Sequence, residues 1–315
     1  MTTAIASPTQ QPARDRVGPP KRRRFRPNRL IDWMALPMLA ILAFVIAYPA
    51  VRAVQLSFTA TSLINPGSPG VGLRNYQTLA HDTVFTTALT NTAIFSGVSV
   101  LAAAILGLGL ALLAERYLSR YRIVNTVLLT PWAIPTVVAA YLFRYMLQTN
   151  GGLVNSVLLH LNLISHPVGF ITSPTWSMPS LITANVWTQI PFFFLVILAG
   201  LRAVPGEVVE AARADGAGYW ATVWHIKLHY LRGPLMIAAL LMVITNFNNF
   251  AMPEALTGGG PGYSTMTLVL YVYDLAFQSY HVGYAAAVGV IWLIILLAFA
   301  MLFVRLVRSE SGGSS

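Results

Sequence analysis

The sequence contains no cysteine in 315 residues. Disulfide staples, thiolate metal sites and a cysteine nucleophile are thereby excluded, and nothing points to redox chemistry. Charge is also scarce. Only 10% of residues are Asp, Glu, Lys or Arg, where a soluble domain carries about a quarter. Catalytic patterns are missing too. There is no GxxxxGK(S/T) phosphate loop, so the chain has no ATP site of that kind. The six histidines, His81, His160, His166, His225, His229 and His281, form no HExxH or other ligand set, so no metal site is expected. Glu254 and Asp274 are well apart in sequence, and no Ser/His/Asp or paired-carboxylate arrangement stands out; an intramembrane enzyme is rejected.

What is present is apolar surface. Hydrophobic residues make up 56% and the mean hydropathy is +0.64, which predicts an all-α integral membrane protein. Six stretches are apolar enough to cross about 30 Å of hydrocarbon, which takes roughly 20 helical residues: Trp33 to Phe58, Ala88 to Ala114, Ile123 to Leu147, Pro179 to Leu201, Pro234 to Pro253 and Val282 to Val307. The net charge of +10 would suit nucleic acid, but the basic residues do not interleave with an aromatic RNA-binding pattern, and none is expected as a partner. Their placement follows the bilayer. Seventeen of the twenty fall on one side if both termini are cytoplasmic, leaving only Arg52, Arg74 and Arg144 near or beyond the other face. Cytoplasmic loops collect Lys and Arg, so the termini are placed inside.

In domain terms, residues 1–29 read as a disordered cytoplasmic tail ending in a basic run, residues 30–308 as one six-span domain, and residues 309–315 as a second cytoplasmic tail. Arg22, Arg23 and Phe25 resemble a twin-arginine export signal, but the apolar stretch after them is too long for one, which favours a retained first span. Pro131, Pro135 and Pro191 free backbone carbonyls and kink their spans.

Within the fifth span the run Thr245, Asn246, Phe247, Asn248, Asn249, Phe250 places three carboxamides within four residues, costly in a membrane unless something pairs with them. On a helix Met242, Asn246, Asn249 and Pro253 share a stripe. Asn185, Gln189 and Phe193 share another in the fourth span, with Trp187 on a different face, and Tyr141, Arg144 and Tyr145 cluster in the third. Carboxamides beside aromatic faces suit a neutral sugar or polyol, through hydrogen bonds to hydroxyls and stacking on C–H faces. The alternative is that the asparagines pair helix to helix. Asn246, Asn249, Asn248, Phe250, Trp187, Gln189, Tyr141 and Arg144 are the candidate substrate contacts. Arg144 keeps a phosphorylated substrate open, or serves as a structural cation near the interface.

The longest polar interruption of the second half, PGEVVEAARADGAGYWATVWHIKLHYLRGP at residues 205–234, lies between the fourth and fifth spans. Pro205 and Gly206 open a helix, Glu207 and Glu210 suit its positive end, and Gly216 stops it. A second short helix is expected after the turn, with Tyr219, Val223, Ile226 and Tyr230 on one face and Lys227 on another, ending near Pro234.

The run Glu210, Ala211, Ala212, Asp215, Gly216, Ala217, followed by Ile226 and Leu228, resembles the EAA loop of ABC-importer permeases. His229 stands where that family usually has proline. The glycine-rich segment from Leu256 to Thr265 is similar to the GGGP loop of the maltose-type sugar permeases within the same family. The resemblance covers roughly residues 30 to 308. It implies a multi-pass subunit of a bacterial-type cytoplasmic membrane that translocates a sugar or sugar-like solute by alternating access. The implied partners are a second homologous permease, a cytoplasmic ATPase dimer that uses ATP and Mg, an extracytoplasmic solute-binding protein and the lipid bilayer. No cofactor is implied on this chain itself. Glu210 becomes the ionic contact to the ATPase, Gly216 the turn, and Ala211, Ala212 and Ala217 with Asp215 the docking surface. A glycerol-phosphate-like or amino-sugar substrate, an ATPase-independent transporter or channel, and a scaffolding anchor are the alternatives.

Overall fold

The computed structural model describes residues 29–64, 67–118 and 122–311. The basic tail before Arg29, and Gly312 to Ser315 at the end, lie outside the described residues.

Apart from one isolated bridge between Thr59 and Gly70, the regular structure of the described residues is helical. α1 (Arg29–Ser57) and the short α2 (Arg74–Ala80) precede α3 (Thr83–Leu113), which a π-helical turn extends over Ala114–Leu118. α4 (Arg122–Ala133), α5 (Thr136–Met146) and α6 (Leu153–His160) lead to α7 (Pro174–Arg202). α8 (Gly206–Ala214) is followed by α9 (Tyr219–Thr222), a π turn (Val223–Lys227) and α10 (Leu228–Phe247), which together make one continuous helix. α11 (Ala251–Thr257), α12 (Leu268–Tyr273) with a π turn (Asp274–Gln278), and α13 (Val282–Ser311) complete the chain.

Five helical stretches among the described residues are long and apolar enough to cross a bilayer: Ala40–Ser57, Thr83–Tyr117, Pro174–Arg202, Tyr219–Phe247 and Val282–Arg305. They become six if α4 and α5 count as one bent span. The span expected from Ile123 to Leu147, with kinks at its prolines, is corrected to a much sharper break: Thr126–Ala133 and Thr136–Met146 meet at 97°. Pro135 explains the break. It has no N–H to continue the ladder, and it sits at φ −55, ψ 135, outside helical geometry, as the residue that starts α5.

The second short helix expected between Tyr219 and Pro234 is also corrected. Tyr219 opens the long helix itself, which passes through Pro234 and ends at Phe247. Pro234 leaves one carbonyl without its intrahelical donor, a loss too small to break a helix with this much apolar length. Lys227, expected on a face of its own, is buried on the same side as Val223 and Leu231, four residues away in each direction. Tyr230, expected on the apolar face, is exposed. At the other end α10 stops before Asn249, so the helical stripe from Met242 to Pro253 is interrupted. α13 runs on to Ser311, past the expected Val307.

The described residues fall into two units that divide at Pro49, inside α1. In the first, Phe44 stacks on Tyr48 at 5.5 Å. In the second, α3, α7 and α10 pack through one apolar cluster containing Ala103, Ala111, Phe193, Phe194, Ile197 and Leu231. Small residues set the spacing. A Cβ built on Gly107 of α3 would lie 2.7 Å from Phe193 Cβ on α7, and one on Gly200 of α7 would collide with Leu231 Cδ2. In lipid, where apolar burial gives helices little reason to associate, such close backbone approach is what provides packing energy. A second cluster, with Phe95, Ala140, Leu181 and Met252, joins α3, α5, α7 and α11.

Candidate functional site

α7 presents Asn185, Thr188 and Gln189 on one face, because three and four residues return a helix to the same side. Opposite them, the end of α10 supplies Thr245 and Asn246, and the irregular turn after it supplies Asn249. The carboxamides meet in a chain. Asn185 Nδ2 donates to Asn246 Oδ1 at 3.1 Å, Gln189 Nε2 donates to the same oxygen, and Asn249 Nδ2 donates to Asn185 Oδ1 at 3.2 Å. Asn246 is only 2% exposed, so it lies behind the site as a tie between α7 and α10.

In front of this tie is a cavity of about 190 Å³ lined by Asn185, Thr188, Gln189, Thr245 and Asn249, with Trp132, Phe192 and Met242 as apolar walls. Pro131, Ile134 and Thr136, at the bend between α4 and α5, close one side. An open hollow of about 600 Å³ shares Thr136, Thr245 and Asn249 with it and adds Asn248, Phe250 and Ala251. None of the residues lining either space carries a charge. Hydroxyl and carboxamide groups beside an indole and a phenyl ring can hydrogen-bond and stack on a neutral polyhydroxylated molecule.

Of the eight candidate contacts, the structure brings Gln189, Asn248, Asn249 and Phe250 to these spaces and Asn246 directly behind them. The other three lie elsewhere. Trp187 packs edge-on against Phe143 at 5.5 Å, Tyr141 does not line the cavity, and Arg144 Nη1 donates to the Ala255 carbonyl at 3.1 Å, bracing α5 against α11. Thr188 and Thr245 are lining residues outside the eight candidate contacts, although one shares the helical face of Asn185 and the other opens the polar run that contains Asn246. Their hydroxyls attract less notice because threonine is common in spans.

α8 buries none of its residues. Glu210, Ala211, Asp215 and Gly216 are exposed, while Ala212 and Ala217 are half-buried. Gly216 takes φ +83, a left-handed conformation that suits glycine, and its N–H donates to the Arg213 carbonyl at 3.0 Å. Trp220 and Trp224 project beside this turn, 63% and 65% exposed.

At the far end of α3, Asp82 caps the helix. Its Oδ1 accepts from the N–H groups of Val84 and Phe85, and its Oδ2 accepts from the hydroxyls of Tyr271 and Tyr284. Burial alone would raise the Asp82 pKa, but these four hydrogen bonds outweigh it and hold the carboxyl below its ordinary value. For Tyr271, burial first, then the bond to Asp82 and its negative charge, push the phenol well up, so it stays a donor. The glycine-rich segment is pinned nearby: Asn91 Nδ2 donates to the carbonyls of Tyr263 and Met266.

Residues 103–309 match the family described as "Binding-protein-dependent transport system inner membrane component". The sulfoquinovosyl glycerol transport system permease protein SmoG of Agrobacterium fabrum is 32% identical over 286 residues, covering 90% of this chain and 92% of its own. The trehalose/maltose transport system permease protein MalF of Thermococcus litoralis is 32% identical over 288 residues, covering 90% and 96%. Among solved structures, a chain of a bacterial ABC transporter involved in import of the acidic polysaccharide alginate superposes with a TM-score of 0.77 at 24% identity, over 89% of this chain and 96% of that one.

Proposed function

Because the chain belongs to the family of binding-protein-dependent transport system inner membrane components, we propose that it moves a neutral sugar or sugar-like solute through the cavity between α7, α10 and the α4–α5 bend. It is a permease subunit of an ABC importer in the cytoplasmic membrane, working with a second permease, an ATPase and a solute-binding protein, and it is not itself an ATPase. The observation that carries the substrate class is the uncharged lining: hydroxyls, carboxamides and aromatic walls with no cation. Arg144, the one residue that would favour a phosphorylated solute, is engaged with the Ala255 carbonyl.

In this reading the chain has six spans with both termini cytoplasmic, in keeping with its Lys and Arg distribution. The cavity opens alternately to each side as partner ATPases, using ATP and Mg, close and reopen. α8 with the turn at Gly216 is the cytoplasmic coupling element, and Glu210 is its ionic contact to the ATPase. Glu210→Ala should lower solute uptake by about tenfold, a loss of the size found for ordinary coupling free energies. Uptake and co-purification of the ATPase, measured on the complete complex, test this; wild-type values for both would remove Glu210 from the role. Competition of uptake by uncharged and by anionic sugars tests the substrate class, and stronger competition by the anionic set would refute it.

A further inference from the structure

Lys227 donates to both carboxylate oxygens of Glu115 at 2.7 Å, across 112 residues of sequence. The pair is the one salt bridge among the described residues. Its two side chains are 10% and 26% exposed. Each partner stands in a π-helical turn, Glu115 in the turn that extends α3 and Lys227 at the end of the one that leads into α10. A π turn takes an extra residue and so shifts side chains out of the α-helical register; such turns gather at functional positions. A second interaction runs parallel to the first, with the Arg116 guanidinium 4.7 Å from the centre of the Tyr219 ring. Lys227 Nζ is 5.8 Å from the same ring.

The positions of these interactions matter more than their number. Tyr219 and Lys227 belong to the first turns of the helix that follows α8 and the Gly216 turn. Glu115 and Arg116 extend α3, whose backbone lies against α7 at Gly107 and Phe193. α7 carries Asn185 and Gln189 of the cavity. Apolar helix faces can slide over one another, because a side chain that leaves one apolar neighbour meets another of the same kind. A largely buried ion pair cannot, because separating it strands a charge in a poor solvent.

We propose that the Glu115–Lys227 pair makes the end of α3 move with the coupling segment, so that displacement of α8 reaches the cavity wall through α3 and α7. Glu115 and Lys227 are positioning residues for transport. This rests on α8 being the coupling element, and the two readings fail in different ways.

The test uses the complete complex, with both permeases, the ATPase and the binding protein, in proteoliposomes, measuring solute moved and ATP hydrolysed in the same sample. Glu115→Gln and Lys227→Gln should each lower the ratio of solute to ATP by about tenfold while hydrolysis continues, in line with common coupling strengths. The charge exchange Glu115→Lys with Lys227→Glu should bring the ratio back to within about threefold of wild type, since it restores the attraction. The double variant Glu115→Leu with Lys227→Met leaves no buried charge, so it should assemble even if the single variants do not, and it should show the same low ratio. A wild-type ratio in this double variant overturns the proposal, as does a low ratio that the charge exchange fails to raise. Failure of the underlying reading looks different: Glu210→Ala would then retain both ATPase association and uptake, whatever the Glu115 variants do.

Discussion

The Tyr271 hydroxyl donates to Asp82 Oδ2 at 2.6 Å, joining residues 189 positions apart. Tyr284 donates to the same oxygen at 2.6 Å, so the start of α3, α12 and the start of α13 meet on one carboxylate. With its folded pKa depressed, Asp82 contributes stability that is present above the unfolded carboxylate value and is lost as pH falls through the folded one. Asp82→Ala removes a helix cap and a charged acceptor together, and should cost about 3 kcal/mol. Tyr271→Phe removes one charged hydrogen bond and should cost about 2 kcal/mol. Thermal unfolding of the purified complex checks both. The difference between wild type and Asp82→Asn should shrink as pH is lowered past about 4, because only wild type loses a charged acceptor there. A difference that stays constant with pH would show that the charge on Asp82 is irrelevant.

Two glycines on α3 make a controlled comparison of helix packing. A Cβ at Gly107 would lie 2.7 Å from Phe193 Cβ and 3.0 Å from the Phe194 nitrogen, whereas one at Gly109 would have nothing within 4 Å. Gly107→Ala should therefore destabilise by about 2 kcal/mol through forced separation of α3 from α7. Gly109→Ala should be neutral or stabilising by up to about 1 kcal/mol, since alanine favours helix. Unfolding temperatures of the two variants decide the matter. If they respond alike, α3 and α7 do not touch at Gly107.

The carboxylate at Asp82 and the close approach at Gly107 differ from the spans that carry them in how far the sequence announces them. The apolar spans follow from composition because crossing a bilayer demands length and low charge, and α1, α3, α7 and α13 begin or end within a few turns of their expected bounds. The break at Pro135 is legible only as a kink, because a proline inside an apolar run fixes a lost hydrogen bond but not an angle of 97°. Lys227 departs from its expected face because it stands four residues from both Val223 and Leu231, a spacing that returns a helix to the same side, while its charge marks it in the sequence as a residue for the solvent. Glu115 and Asp82 give no signal at all. Their partners are 112 and 189 or more residues away, and a lone carboxylate near the end of a span looks the same in sequence whether it is solvated or holds three elements together. For the cavity, the dense asparagine run is legible because carboxamides are conspicuous in a membrane, but which of them lines a space and which ties two helices depends on where α10 stops.

Adjacent residues 245 and 246 separate those two roles. Asn246 is buried and its Oδ1 receives the amides of Asn185 and Gln189; Thr245 is exposed on the cavity side, and its hydroxyl bonds only the Leu241 carbonyl of its own helix. Asn246→Ala leaves two donors without their acceptor, and at the strength measured for polar contacts within membranes it should cost about 1 to 2 kcal/mol of stability. Thr245→Val keeps the volume and removes only a hydroxyl facing the cavity, so stability should hold while the apparent affinity for solute falls about fivefold, the value of one hydrogen bond. The two measurements, unfolding temperature and concentration dependence of uptake, should therefore move in opposite patterns for neighbouring substitutions. If Thr245→Val leaves the concentration dependence of uptake unchanged, the solute does not contact this wall of the cavity. If Asn246→Ala leaves stability unchanged, the carboxamide chain is not what joins α7 to α10.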